Sequence, residues 1–123
     1  KSIHGTLNHI LLADRLWLGR FEGNPLPPTN LDRILYEDFA PLRAAREAED
    51  SRIEAFFAAL PHSFPAGRLH YVNTSGKAVE GEMGVYLAQL LNHQTHHRGQ
   101  VHDLLTQTEV PPPPLDVQVV LAG

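Results

Sequence analysis

Apolar residues recur at helical spacing over three long stretches of the chain. In the first, from Ser2 to Arg20, they return every three or four residues, which is the pattern of an amphipathic helix. The second runs from about Asp38 to Leu60, with Asp38 as a plausible N-cap residue. The third spans about Glu82 to Gln107 and would be roughly 39 Å long. The hydrophobic pattern therefore predicts three long helices that pack against one another.

The segments between these helices contain helix-breaking residues. Prolines and glycines over residues 23–30 end the first helix. Residues 68–72 and 77–79 flank a turn-forming Asn-Thr-Ser-Gly sequence, which indicates a small hairpin or an extended turn. A proline-rich tail covers residues 110–123, and its four consecutive prolines predict an extended polyproline II segment. Loose alternation from Leu115 to Leu121 indicates a short strand or arm.

The third helix carries a cluster of histidines. His93 and His97 lie four residues apart, so both imidazoles lie on one face of a helix, close enough to bind a single metal ion. At roughly 100° per residue His97 falls within the apolar stripe and His93 beside it, whereas His96 and His102 lie on the polar half. Imidazoles on a buried edge need partners for their nitrogen atoms, and a divalent metal ion provides one.

A pair at this spacing does not by itself establish a metal site. The chain has eight histidines, so the spacing arises easily by chance. Gln94 stands where zinc proteases of the His-Glu-x-x-His type have their glutamate, which removes that function class. The first helix supplies His9 as the third ligand, because His9 is the first residue of the apolar stripe that this helix buries. A lone His9 would more simply be a hydrogen-bonded core residue, and His4, about 140° away around the helix, is the competing candidate.

Several motifs together resemble the DinB-like (DinB/YfiT) superfamily. They are Leu7-Asn8-His9-Ile10, Asp14-Arg15-Leu16-Trp17-Leu18, Leu69-His70-Tyr71-Val72-Asn73-Thr74-Ser75-Gly76 and Leu91-Asn92-His93-Gln94-Thr95-His96-His97-Arg98-Gly99-Gln100. The resemblance implies an all-α, up-and-down four-helix bundle with a divalent metal held by three histidines. On this sequence those histidines are His9, His93 and His97. It also implies a helix before the His9 segment, so we expect the first family helix to be absent and residues 1–123 to form one N-terminally incomplete domain.

The resemblance also implies a function. Characterised relatives include thiol-dependent transferases and isomerases, so we expect a metal-dependent enzyme, such as a thiol-dependent S-transferase or an isomerase or hydrolase. Its small-molecule partner would be a low-molecular-weight thiol. Three neutral imidazoles leave one coordination position open, as in catalytic zinc sites, and zinc, nickel and iron(II) all accept such ligands. The alternative is a non-catalytic, metal-stabilised module for binding or stress response.

Other residues are candidates for the surroundings of this site. Glu49 lies near the apolar edge of the second helix and could hold a metal-bound histidine in place, although a boundary carboxylate that reaches water is the simpler interpretation. Tyr71 and Asn73 lie in the loop before the last helix and are candidate substrate contacts. Arg46 is expected on the surface. Gly99, inside the third helix, indicates close approach of another helix.

Composition narrows the class of protein. A chain of 123 residues with 42% hydrophobic and 20% charged residues is typical of one globular domain. The net charge of −4 and the lack of a basic stripe argue against nucleic acid as a partner. No apolar run approaches the ~20 residues of a membrane span, and cysteine is absent, which excludes disulfides and thiolate ligands. We expect a cytoplasmic protein, because no signal peptide is visible in the sequence. We also expect a homodimer, because three helices shield their apolar stripes only partly.

Overall fold

The structure is a computed structural model that describes residues 2–122 of the chain. Within those residues the elements are α1 (Ile3–Phe21), α2 (Phe39–Ala58), a 3-10 turn (Phe64–Ala66), β1 (Arg68–Val72), β2 (Ala78–Glu82), α3 (Met83–Leu105) and α4 (Val117–Ala122). Each of the three long helices begins and ends within two residues of its predicted bounds. The hydrophobic pattern was thus sufficient to locate them.

Capping and helix-breaking residues are found at both ends of α1 and at the start of α2. The Ser2 hydroxyl oxygen accepts a hydrogen bond from the Gly5 amide at 2.9 Å, which satisfies one free N–H group in the first turn of α1. After α1, Gly23 adopts a φ of 75°, a conformation that side chains disfavour, and Pro25 follows. Asp38 is the N-cap residue of α2, although its side chain makes no capping hydrogen bond.

The expectation of an all-α fold is wrong, because β1 and β2 form an antiparallel hairpin between α2 and α3. Arg68 pairs with Glu82 at the open end of the hairpin. At the turn, the Asn73 side-chain oxygen accepts hydrogen bonds from the amides of Ser75 and Lys77. The turn-forming residues had indicated a hairpin here, so the error lay in taking the fold class from the family resemblance and the helical patterns without this hairpin.

The core lies where α1, α3 and the hairpin meet. Its buried residues are Leu18, Phe21, Leu69, Met83, Leu87 and Leu90. The second helix covers this cluster with aromatic side chains, and the ring of Phe56 stacks on that of Phe21 with 5.8 Å between centroids. More than half of the residues of α1 are buried, against only two in α2. Because α1 is the central element, three of its polar residues, Thr6, Asn8 and Asp14, are buried as well.

Two local expectations are also wrong. The segment after the prolines forms the short helix α4 instead of a strand or arm. A Cβ atom placed on Gly99 would meet nothing within 4 Å, so none of the helices described over residues 2–122 approaches α3 closely there. The close contact in α3 is at Gly84, where a Cβ atom would lie 3.1 Å from the carbonyl oxygen of Pro65.

The outer surface of α4 is apolar. Val117, Val119, Val120 and Leu121 are all exposed, and Leu121 retains 81% of its accessible surface. An apolar helix face of this kind is a surface on which a second copy of the chain could pack, and the homodimer stays a prediction. Over residues 2–122, no helix has the combination of length and apolar character needed to cross a membrane.

Candidate metal centre

Helices α1 and α3 bring His9, His93 and His97 together. All three are half-buried, and each offers one nitrogen within 4.8 Å of those of the other two. The ring centroids of His93 and His97 are 4.3 Å apart, and those of His9 and His97 are 4.5 Å apart. Over residues 2–122, no other group of three histidine or carboxylate side chains comes together in this way. These three residues could hold a metal ion, and we call them the triad.

Hydrogen bonds at Nδ1 orient two of the triad rings. His9 Nδ1 lies 3.0 Å from the carbonyl oxygen of Leu31, which can only accept, so this nitrogen carries the proton. His97 Nδ1 lies 2.7 Å from Oε1 of Gln100 and donates to it in the same way. In both neutral rings the lone pair is therefore on Nε2, as a metal ligand held by an outer hydrogen bond requires.

The distance between two triad nitrogens fits a shared cation. His9 Nε2 and His93 Nε2 are 3.2 Å apart. Because His9 Nε2 carries no proton in the tautomer described, this contact needs either a proton on His93 or a cation between the two atoms. Two imidazole nitrogens bound to one tetrahedral zinc ion at 2.0–2.1 Å lie roughly 3.3 Å apart. The side chains are thus already spaced as two ligands of one ion would be.

A cavity of about 390 Å³ opens beside the triad. His9, His97 and Gln100 form part of its wall, and Asp32 contributes a carboxylate. Within the loop, the Asp32 amide donates a hydrogen bond to the side-chain oxygen of Asn30 at 2.9 Å, which stabilises the local turn. A metal ion on the triad would therefore face a space that can admit a small molecule and that already contains an acidic group.

The chain also matches the model of a known protein family. The family model of the DinB family matches residues 1–122. The chain belongs to the DinB family. No curated protein and no solved structure matches it. The resemblance found in the helix motifs is thus confirmed for the DinB chain, and the family relationship extends over nearly its whole length.

The environment of His93 in the DinB chain keeps its imidazole neutral. Burial lowers the pKa of His93 to about 4, and the neighbouring His97, His9 and His96 add to this effect. Its Nδ1 atom is buried and has no hydrogen-bond partner. The ring is therefore neutral at neutral pH, with one of its two nitrogens free of a proton, and the neutral ring is the state that binds a metal.

We expect the metal-free protein to lose stability as the pH falls from 6.5 towards 4. The unfolded chain protonates His93 near its ordinary pKa of about 6.5, whereas the folded chain takes up this proton only near pH 4. The unfolded state binds more protons in this window, so acid raises the unfolding constant by up to about tenfold per pH unit. Urea unfolding in chelator at a series of pH values measures this slope. A His93→Asn variant should have a flatter slope, and an unchanged one would contradict the assignment.

A buried ionic network lies behind the triad. Asp14 of α1 is fully buried, with Oδ2 2.7 Å from Nη1 of Arg46 in α2. The same oxygen accepts a hydrogen bond from Nε2 of Gln94 at 3.2 Å, and Gln94 directly follows His93 in α3. Burial raises the pKa of Asp14, whereas Arg46 and Gln94 oppose this shift. The network ties the three long helices together, so the expectation that Arg46 is merely a surface charge is wrong.

Asn8 fixes the loop that follows α1. Its side-chain oxygen accepts hydrogen bonds from the amides of Leu35 and Tyr36 at 2.9 and 3.0 Å, and its amide group donates to the carbonyl oxygens of His4 and Tyr36. Nε2 of His4 also lies 2.9 Å from the Tyr36 carbonyl oxygen. The competing ligand candidate His4 is therefore bound to this loop and is not part of the triad.

The remaining candidate residues lie away from the triad. Glu49 is buried and forms an ion pair with Arg52 at 3.0 Å. Tyr71 and Asn73 line a second cavity, together with Arg20. A role for Glu49, Tyr71 or Asn73 at the metal stays a prediction. Glu49 is bound to Arg52 and Asn73 to the hairpin turn, and the cavity beside the triad is lined by other residues.

The sequence analysis missed two residues of the site. Gln100 could have been found, because it lies three residues after His97 and therefore on the same helix face. Asp32 lies in an irregular loop, where no periodicity relates a residue to the helices. Its position beside His9 became visible only when the loop was placed against α1.

Proposed function

We propose that this DinB protein binds one divalent metal ion through His9, His93 and His97 and catalyses a thiol-dependent transfer. The proposal rests on one observation: two of the three triad histidines, His9 and His97, line a cavity beside the triad. Structural zinc sites use four protein ligands, whereas catalytic sites use three and leave a position for water or substrate. When bound, the ion would lower the pKa of a thiol or water held in that position.

The residues around the cavity would supply the other functions that such a reaction needs. Asp32 lines the same cavity as His97, so its carboxylate can accept the proton that a thiol or a water molecule releases. The Leu31 carbonyl and the Gln100 side chain hold the His9 and His97 rings through their Nδ1 atoms. Such outer contacts typically contribute 10–100-fold to metal affinity.

The choice of a thiol as co-substrate is supported by membership of the DinB family. The resemblance implies relatives that include thiol-dependent transferases and isomerases. The cavity volume of about 390 Å³ lies within the usual range of small-molecule sites, roughly 300–1,000 Å³. Zinc, nickel and iron(II) all suit three imidazole ligands. The proposal therefore specifies a divalent transition metal ion, and the protein should be tested with zinc, with nickel and with iron(II).

Conjugation of low-molecular-weight thiols to monochlorobimane tests the proposal. In this reaction a carbon–sulfur bond forms, chloride leaves and the thiol proton is transferred to a base. Metal-loaded protein should accelerate conjugation, and Asp32→Asn should reduce kcat by about 100-fold while metal occupancy is retained. His96→Ala is the matched control, since His96 lies on α3 but outside the triad. Full metal occupancy without acceleration, for every thiol and metal tried, would instead favour a metal-stabilised binding module.

A further inference from the structure

A second cavity lies at the opposite end of α1 from the triad. Its volume is about 300 Å³, and it lies between residues 25–29, the end of α1 and the hairpin turn. Arg20 and His9 are eleven residues apart on one helix, which places the two cavities roughly 16 Å apart along its axis. The second cavity is therefore a separate site from the candidate metal centre.

Among residues 2–122, Arg20 is the only charged residue that lines this second cavity. Its guanidinium lies over two aromatic rings, with 4.6 Å to the centroid of Trp17 and 4.2 Å to that of Tyr71. The ion pairs among residues 2–122 involve other arginines, and no hydrogen bond from the Arg20 side chain is formed within that part of the chain. The rings thus cover the face of the guanidinium, and its N–H groups keep their capacity to donate.

The Arg20 guanidinium is half-buried, and its charge is stabilised without acceptors for its N–H groups. Burial lowers the pKa of Arg20, and Tyr71 opposes the shift. Stacking on aromatic rings stabilises a cation, and Arg20 also lies in the last turn of α1, where the helix dipole favours positive charge. Neither effect supplies acceptors for the N–H donors of a guanidinium, which are arranged to bind both oxygens of one carboxylate.

The rest of the wall is mostly apolar. Pro25, Pro27 and Pro28 offer no backbone N–H groups, and Leu26 lies between them. At the hairpin end, the side-chain oxygen of Asn73 is occupied by the turn. Small-molecule sites commonly combine apolar walls with a few placed polar groups. A cavity with apolar walls and one cation is complementary to a molecule with an apolar body and one negative group.

We propose that this cavity binds a small organic carboxylate, with the carboxylate on the Arg20 guanidinium and the apolar body between the prolines and Tyr71. The site is independent of the metal, because none of the triad histidines lines it. A carboxylate is the chemical class that best matches a planar guanidinium that lies over two aromatic rings and has free N–H donors. The proposal does not rest on the proposed function of the triad.

Titration of chelator-treated protein with benzoate, phenylacetate and 4-phenylbutanoate, followed by two-dimensional amide NMR, tests the site. We expect at least one of them to bind with a Kd of about millimolar or tighter, as small ligands do, and to shift the resonances of residues 20, 71–74 and 26. The corresponding uncharged amides should bind at least tenfold more weakly. Binding of phenyl phosphate more tightly than all three carboxylates would overturn the assignment of the ligand class.

Two variants of the cavity, compared with one control variant outside it, test whether Arg20 binds the carboxylate. Arg20→Gln should weaken carboxylate binding at least tenfold, whereas Arg43→Gln, which removes the same charge from an exposed ion pair on α2, should leave it unchanged. Thr74→Glu should weaken it as well, because the new carboxylate would compete for Arg20, and this variant keeps the test valid if Arg20→Gln folds poorly. Equal binding by wild type and both cavity variants, or no shift at residues 20 and 71–74 with any of the three acids, would overturn the proposal.

Discussion

Replacement of His97 by alanine should weaken metal binding about a hundredfold, and His9→Ala and His93→Ala should do the same. Zinc sites with four protein ligands bind with about 10–16 kcal/mol, or about 3 kcal/mol for each ligand. Such a loss corresponds to roughly a hundredfold in Kd. Competition with a chromophoric chelator measures the change for each variant.

His96→Ala and His102→Ala are the matched controls for this prediction. Both residues lie on α3 close to the triad, and the ring of His96 is only 4.8 Å from that of His97. Neither belongs to the group of three that could hold a metal ion. We therefore expect both variants to retain the wild-type affinity. If His96→Ala lost as much affinity as His97→Ala, the ligands would have been assigned to the wrong helix face.

The second large effect is expected at Arg46. Arg46→Met should lower the free energy of unfolding by about 3 kcal/mol, because the fully buried Asp14 would lose the one cation paired with it among residues 2–122. Urea unfolding of metal-free protein at neutral pH gives the value. Arg43→Met, in an exposed ion pair with Glu47, should change stability by less than about 0.5 kcal/mol.

The pH dependence distinguishes this loss from a loss of packing. Burial already raises the pKa of Asp14 above 3.8, and removal of Arg46 should raise it further. A folded pKa above the unfolded one means that the folded state binds more protons, so stability falls as the pH rises through that window. The deficit of Arg46→Met should therefore shrink on acidification, and the double variant with Asp14→Asn should recover most of it. A deficit that is the same at all pH values would indicate lost packing instead.

The helices and the triad could be predicted from sequence for one physical reason. Side chains on a helix repeat every 3.6 residues, so a spacing of four residues places His93 and His97 together without knowledge of the fold. The position of His9 in the apolar stripe of α1 then indicated which way it faces. These are local relations, and the structure agrees with them.

Relations between distant segments were not predictable in this way. Asp14 resembled an ordinary charged residue of an amphipathic helix, because nothing local shows that α1 is buried on most of its surface. Its partner Arg46 lies in another helix. The loop that carries Asp32 has no hydrophobic periodicity from which the position of Asp32 could be predicted. The hairpin was indicated by its turn residues, yet the all-α fold class was taken from the family resemblance, in agreement with the three strong helical patterns.

Anomalous diffraction from crystals of the zinc-loaded protein, recorded at the zinc edge, is the most direct test of the proposed metal centre. The account predicts one peak per chain, within about 2.0–2.1 Å of a nitrogen of each of His9, His93 and His97, with a further coordination position towards the cavity beside Asp32. A peak on any other set of side chains, or a fourth protein ligand that closes the cavity side, would contradict it.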